Sequence, residues 1–347
     1  MEQRVLKTVT VLMLMLTIVV SVSINFLPQL HEKYAVSNNV YENDISSIKW
    51  KKAETVIEED DQERGQLTIQ IPQGVDSGNV EVSNDYLTQT ITVTFQGNNQ
   101  DYFSEYNISG SPEHISSLSS YIQNDSSVLV LQMDGVYEIK QETEEDKLFL
   151  SFVNPRDIYD KIIVVDAGHG SYMTGATKNG IMEKDLTLQI IHKVQEVFAD
   201  NPKKIGVYYT RTEDTNPSFK QRADLANILE ADLFISLHIN SSNSGNFSSL
   251  NGVQVMYSQS DDSTCSSQQL AQICLEEVCK STGAKQLRLL EGDKIYIIRS
   301  SQVPVALIEA GFMSNREELE KLQQPEYQEK IAQGIYNAVN RAFEEGF

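Results

Sequence analysis

Basic residues are scarce in this chain of 347 residues: 28 Lys and Arg face 49 Asp and Glu, leaving a formal charge of -21. A surface of that sign repels phosphate, so nucleic acid is excluded as a partner. Cysteine is rare too. Cys265, Cys274 and Cys279 fall in one short stretch without the paired spacing of a zinc finger, and they read as packing residues, with one local disulfide as the alternative. No internal repeat is present, which excludes a repeat architecture. Long uncharged runs are lacking apart from one at the N-terminus. What is present suits an ordinary globular protein, since 40% of the residues are hydrophobic and the length accommodates two domains, at least one with a sizeable core.

The uncharged run TVTVLMLMLTIVVSVSINFL, from Thr8 to Leu27, follows Arg4 and Lys7 and is long enough to span a bilayer. Basic residues ahead of an apolar stretch hold the N-terminus in the cytoplasm and place the rest outside. Residues 1–27 therefore read as a signal-anchor that contacts the membrane. Ser21-Val22-Ser23 resembles a small-x-small cleavage site, so a removed signal peptide is the competing reading. Residues 28–45 lack periodicity and read as a linker.

From 46 to 155 the pattern has period two, in Leu67, Ile69 and Ile71, in Ile91, Val93 and Phe95, in Val128 and Val130, and in Leu148, Leu150 and Phe152. Breakers such as Pro72-Gln73-Gly74 separate the runs, which predicts a small β-rich domain. Ser111 to Tyr121 is expected as a short helix, and the acidic run Glu142 to Asp146 as a solvated hairpin tip.

Residues 156–347 alternate strands with helices, beginning with the buried-strand run Ile162-Ile163-Val164-Val165. The fold class expected is α/β, a mostly parallel sheet flanked by helices, joined to the smaller N-terminal β-rich domain and the hydrophobic segment. Helices are expected at Asp185–Ala199, Ser218–Leu229, Ser266–Ser281 and Tyr327–Phe343. Strands are expected near 205–210, 232–238, 252–257, 294–298 and 304–309.

Three of these strands end in residues able to bind or serve a metal: His169 after KIIVVDAG, His238 after ADLFISL and Glu309 after VPVALI. Ligands collect beyond the carboxyl ends of strands in open parallel sheets, so residues far apart in sequence can meet there. Glu183, in NGIMEKDL, stands just before an expected helix and could point into the same crevice. Two imidazoles and a carboxylate form a hydrolytic zinc set with a fourth position left for water. Each residue alone has a plainer reading. His169 could be a turn histidine, His238 a hydrogen-bonded core histidine and Glu183 an acid favoured by the helix dipole. Glu309 is harder to explain away, because an acid at the end of an apolar strand needs a partner or a function. His31, His114 and His192 carry no assigned role.

The segments VVDAGHG, GATKNGIMEKDLTL, YYTRTEDTNPSFKQRADLANILEADLFISLHINSS, GVQVMYS and PVALIEAGFMSN resemble, in order and spacing from about 161 to 345, the motifs of zinc-dependent N-acetylmuramoyl-L-alanine amidases. The resemblance implies that His169, Glu183 and His238 bind Zn2+ and that Glu309 is the catalytic acid/base. It further implies that the substrate is peptidoglycan, cut at the amide between the lactyl group of muramic acid and L-alanine, with Glu309 passing a proton to the alanine nitrogen. Action would be extracytoplasmic. Arg222 and Asn227, in QRADLAN, match positions expected to be structural, the first bracing the fold and the second holding a loop. Asn240 would be at the rim, either behind the ligands or facing substrate.

The chain departs from the family in having Ala167 where proline is usual, and Gln286-Leu287-Arg288-Leu289 where an arginine-glycine pair is common. The Asn240 to Gly252 connection is too short for the long helix that plugs the zinc in some relatives, so regulation by such a plug is not expected. The β-rich domain weakly resembles the AMIN-type domains that bind cell wall; its acidity disfavours charge-based adhesion to anionic polymers. A zinc peptidase acting within the stem peptide and a non-catalytic wall-binding protein are the other readings of the chain. An activating protein partner is not identifiable from the sequence.

Overall fold

The computed structural model describes residues 41–43, 65–106, 108–199, 201, 204–242, 246–260 and 266–347. The expected signal-anchor, most of the linker, His31 and Cys265 lie outside the described residues. Among the described residues no helix is long and apolar enough to cross a membrane.

Among the described residues the N-terminal part has nine strands: β1 (Tyr41–Asn43), β2 (Leu67–Gln70), β3 (Val80–Asp85), β4 (Thr90–Phe95), β5 (Ile108–Gly110), β6 (Ile115–Gln123), β7 (Ser126–Met133), β8 (Glu138–Glu144) and β9 (Lys147–Val153). A short helix, α1 (Tyr102–Glu105), precedes β5. The strands form two sheets, in the orders β1-β6-β7-β4-β3 and β5-β2-β9-β8, with every pairing antiparallel. Alternation supplies the core, because Leu67 and Ile69, then Ile91, Val93 and Phe95, then Leu148 and Leu150 all turn inward and are buried together. Each such side chain contributes roughly 1.5–3 kcal/mol of burial free energy.

Three details of the expectation change. On β7 the core face is Leu129, Leu131 and Met133, one residue out of step with Val128 and Val130. The unbroken run Val128 to Leu131 has no polar residue to mark its outer face. Ser111–Tyr121 is not a helix: β6 occupies Ile115–Gln123 and pairs with β7. Left-handed Gly110 and His114 turn the chain before β6, and partners from a distant hairpin outweigh local propensity. Tyr41–Asn43, inside the expected linker, pairs with β6 as β1. The acidic tip is seen where expected, with Glu145 left-handed between β8 and β9.

After α2 (Pro155–Ile158), capped by Asn154, the chain enters the α/β part. Its elements are β10 (Lys161–Ala167), β11 (Thr177–Lys178), β12 (Ile181–Met182), α3 (Glu183–Ala199), β13 (Ile205–Tyr209), α4 (Phe219–Ile228), β14 (Leu233–Asn240), β15 (Val253–Tyr257), α5 (Ser267–Thr282), β16 (Gln286–Glu291), α6 (Tyr296–Arg299), β17 (Val305–Phe312), α7 (Arg316–Leu322) and α8 (Pro325–Glu344). The sheet order is β13-β10-β14-β17-β15-β16, with β13, β10, β14 and β17 parallel and β15 antiparallel to β17. Both faces are covered, which explains the continuous apolar runs. Ile163 and Val165 of β10 face α3, α5 and α8, whereas Ile162 and Val164 face α4 and α6.

Helix ends follow capping chemistry. Ser218 and Gln221 form a reciprocal capping box at the start of α4, and left-handed Gly283 ends α5. The strand expected at 294–298 is instead α6, where adjacent Ile297 and Ile298 are both buried in one apolar layer. The strand lies upstream as β16, pairing with β15. Gln286–Leu289 is thus on the sheet edge, separated from Glu309 by β15.

The two parts touch through apolar, aromatic and polar groups. Val136 enters the apolar layer beneath α4, and Tyr208 of β13 and Tyr86 donate hydrogen bonds of 2.6 and 3.1 Å to the two carboxylate oxygens of Glu138.

Candidate metal centre

The carboxyl end of β10 is fixed by two buried arginines. Arg222 Nη1 donates to Asp166 Oδ1 at 2.5 Å and Ala167 O at 2.6 Å, and its Nη2 to His169 O at 2.7 Å. Arg211 donates to Ala167 O at 3.0 Å and Gly168 O at 2.9 Å. Carbonyls left without partners where a strand stops are thereby satisfied. Asp166, fully buried, also accepts from Thr210 Oγ1 at 2.5 Å and Ser236 Oγ at 2.6 Å. Burial opposes its ionisation, yet Arg222 and these hydroxyls hold the carboxyl down at about 2.

Beyond this braced edge the chain turns through left-handed His169, which the Arg222 bond to its carbonyl secures. Glu183 is the first residue of α3, with the β11–β12 hairpin immediately before it. Its Oε2 accepts from Ala176 N at 2.8 Å and its Oε1 from Ile239 N at 3.1 Å, so the carboxylate is held before any ligand arrives. Oε1 lies 3.1 Å from His169 Nε2 and 2.9 Å from His238 Nδ1. The three ligand atoms lie within 4.8 Å of one another. Burial raises the cost of charging Glu183, but hydrogen bonding to the two imidazoles overrides it and drives the carboxyl well below its ordinary value. For His238, burial acts downward and the Glu183 carboxylate wins, raising the imidazole.

Glu309 stands beside this group. It is the register partner of His238 on β14 and of Gln254 on β15, which places the three side chains in one row across adjacent strands. Its Oε2 is buried with no hydrogen-bond partner. Burial pushes its carboxyl up to about 7; His238 opposes this and Glu183 adds to it.

The donors suit a divalent cation. Two imidazole nitrogens and a carboxylate converge, one carboxylate oxygen serves both rings, and an acid with a bare buried oxygen lies alongside. Among the described residues this is the one group of three or more His, Cys, Asp and Glu so arranged.

The remaining named residues separate cleanly. Asn227 donates to Ser300 O at 2.9 Å and accepts from Gln302 N at 2.8 Å, tying down the loop before β17. Asn240 donates to Gln254 Oε1 at 2.9 Å, which ties it to a member of that row. His114 pairs with Tyr137 and His192 with Thr212 O, both outside the centre. Cys274 and Cys279 are free and buried in the core. Sequence reasoning missed Asp166, Arg211 and Gln254. Asp166 and Gln254 carried a signal, since each is a polar residue inside an apolar strand run; Arg211, in a loop, carried none.

Such a site defines a class: an α/β enzyme with a His–Glu–His group that could hold a metal ion at the carboxyl edge of its sheet and a buried acid next to it. Residues 163–341 match the family model for N-acetylmuramoyl-L-alanine amidase, and the chain belongs to that family. The uncharacterized protein YqiI of Bacillus subtilis is 33% identical over 190 residues, covering 54% of this chain and 87% of YqiI. The germination-specific N-acetylmuramoyl-L-alanine amidase of the same organism is 31% identical over 199 residues, covering 53% of this chain and 81% of that protein. A crystal structure of N-acetylmuramoyl-L-alanine amidase from Clostridium difficile 630 superposes with a TM-score of 0.50 at 31% identity, covering 54% of this chain and 98% of that one.

Proposed function

We propose that His169, Glu183 and His238 hold a zinc ion and that Glu309 is the acid/base of the reaction. The chain is an N-acetylmuramoyl-L-alanine amidase, hydrolysing the amide between muramic acid and the L-alanine of the stem peptide in peptidoglycan. It acts on the extracytoplasmic side. The proposal divides it into residues 1–27 as a membrane anchor, 28–45 as linker, 46–155 as a β module facing the wall and 156–347 as the catalytic domain. The run from Thr8 to Leu27 after Arg4 and Lys7 supports the anchor.

When bound at this centre, zinc supplies a Lewis acid for the lactyl carbonyl and lowers the pKa of water to about 7. The chain's own residues do the rest. Ala176 and Ile239 amides fix the Glu183 carboxylate. Arg222 fixes the His169 backbone. Glu309, with its carboxyl near 7, can take a proton from attacking water and return it to the alanine nitrogen as the C–N bond breaks.

The observation that carries this reading is the convergence of three ligands from separate segments within 4.8 Å, with Glu309 in register beside His238. Digestion of purified peptidoglycan should release stem peptides and leave glycan, as read by fragment masses, and a chelator should stop it. Glu309→Gln should retain the metal and lose turnover by at least about a hundredfold. Full turnover by Glu309→Gln with zinc still bound would remove Glu309 from the mechanism.

A further inference from the structure

Phe247, half-buried on the loop between β14 and β15, is flanked by two cations from two other segments. The Arg316 guanidinium carbon lies 3.9 Å from its ring centroid and Lys178 Nζ lies 5.1 Å away. Each contributing segment is also tied to the metal centre. Lys178 is in the β11–β12 hairpin, directly before Glu183. The loop carrying Phe247 leaves β14 two residues beyond His238 and is pinned by the Ser248 N to Ser314 O bond of 2.8 Å. Arg316 opens α7, just after Met313, whose amide donates to Asn240 O at 2.8 Å. The ring and its two cations are therefore carried by three segments that each also connect to the centre's residues.

On a chain of formal charge -21, two cations are gathered on one ring, with Glu317, Glu318 and Glu320 following Arg316 on α7. Arg316 is exposed, and among the described residues no carboxylate lies within ion-pair distance of it, whereas Lys184, Lys193, Arg222 and Arg341 all have acidic partners. A guanidinium stacked on a ring uses its face and leaves its edge donors free, and that edge matches a carboxylate in bidentate fashion. The glycan at the scissile bond is uncharged, while stem peptides carry free carboxylates.

We infer that Arg316, braced on Phe247 and aided by Lys178, binds a carboxylate of the stem peptide and so sets the substrate's direction across the centre, peptide toward α7 and glycan away from it. This rests on the amidase reading above. It makes the protein discriminate between stem peptides whose acidic groups are free and those in which they are amidated.

The test uses the full chain with zinc and synthetic muramoyl peptides, in which the side-chain and terminal carboxylates are free or singly amidated. Wild type should show a higher KM for one of the amides, and that amide identifies the carboxylate read. Arg316→Gln should raise KM for the free acid about tenfold, leave kcat and bound metal unchanged, and leave KM for that amide where it was. Equal KM values for all substrates with wild type, or equal losses on acid and amide with Arg316→Gln, would overturn the inference while leaving the amidase reading intact. No cleavage of any substrate by the zinc-loaded wild type would overturn the amidase reading and this inference with it.

Discussion

The imidazole of His238 packs so closely on Gly168 that a β-carbon at position 168 would stand 2.4 Å from its Cε1 and 2.6 Å from its Nε2. The glycine is required for close approach, since its own φ is not in the left-handed region. Gly168→Ala should therefore push the ring out of line with Glu183 and weaken binding of the proposed metal ion about 10- to 100-fold, the range seen when a ligand's orientation is lost. Competition with a chelator of known affinity measures it. An unchanged affinity would mean that the ring position does not matter to the metal.

Asp166 gives the catalytic domain an acid-sensitive brace. Its folded carboxyl ionises at about 2, below the ordinary 3.8, because Arg222, Ser236 and Thr210 together outweigh burial. A lowered folded value contributes stability that is complete above the unfolded value and is lost as pH falls from about 4 through about 2. The contribution is about 2 kcal/mol. Asp166→Asn should remove that pH dependence and cost about 3–5 kcal/mol at neutral pH by leaving Arg222 unpaired and buried. Urea unfolding of both forms at several pH values reads the slope; parallel slopes would show that Asp166 does not carry it.

The sheet was legible because strands covered on both faces must be apolar along their length, so VVDA, LFISLHI and VALIEA stand out. Placing His169, His238 and Glu309 at strand ends brought them to one edge by topology alone. Their mutual geometry was not legible, since the pairing of His238 with Glu309 follows from β14 and β17 being neighbours, strands separated by a long stretch of chain. The same limit hid Arg211, whose partners are backbone carbonyls of a distant strand. Within the β-rich part, Val128 to Leu131 offers two apolar faces, and only the contact with β2 and β9 side chains selects Leu129 and Leu131. Ile297-Ile298 reads equally as strand or helix until α6 is seen packed beside α4.

Glu138 of the β-rich part is joined to the catalytic part through Tyr208, whose ring meets that of Tyr86 edge to face at 5.0 Å. Burial, reinforced by the Glu138 carboxylate, raises the hydroxyls of both Tyr208 and Tyr86, so each stays protonated and donates. Of the two bonds only that from Tyr208 crosses the junction, and because it is made to a carboxylate it contributes about 1.5–3 kcal/mol. Glu138→Ala should loosen the junction without touching the metal centre. Limited proteolysis should then cut faster between β9 and β10, while hydrolysis of a short soluble muramoyl peptide stays at the wild-type rate. Hydrolysis of intact peptidoglycan should fall if the β module positions the enzyme on the wall, and equal rates on both substrates would show that the module's attachment does not govern access. Unchanged proteolysis would show instead that Val136 and the flanking apolar residues hold the junction without the carboxylate.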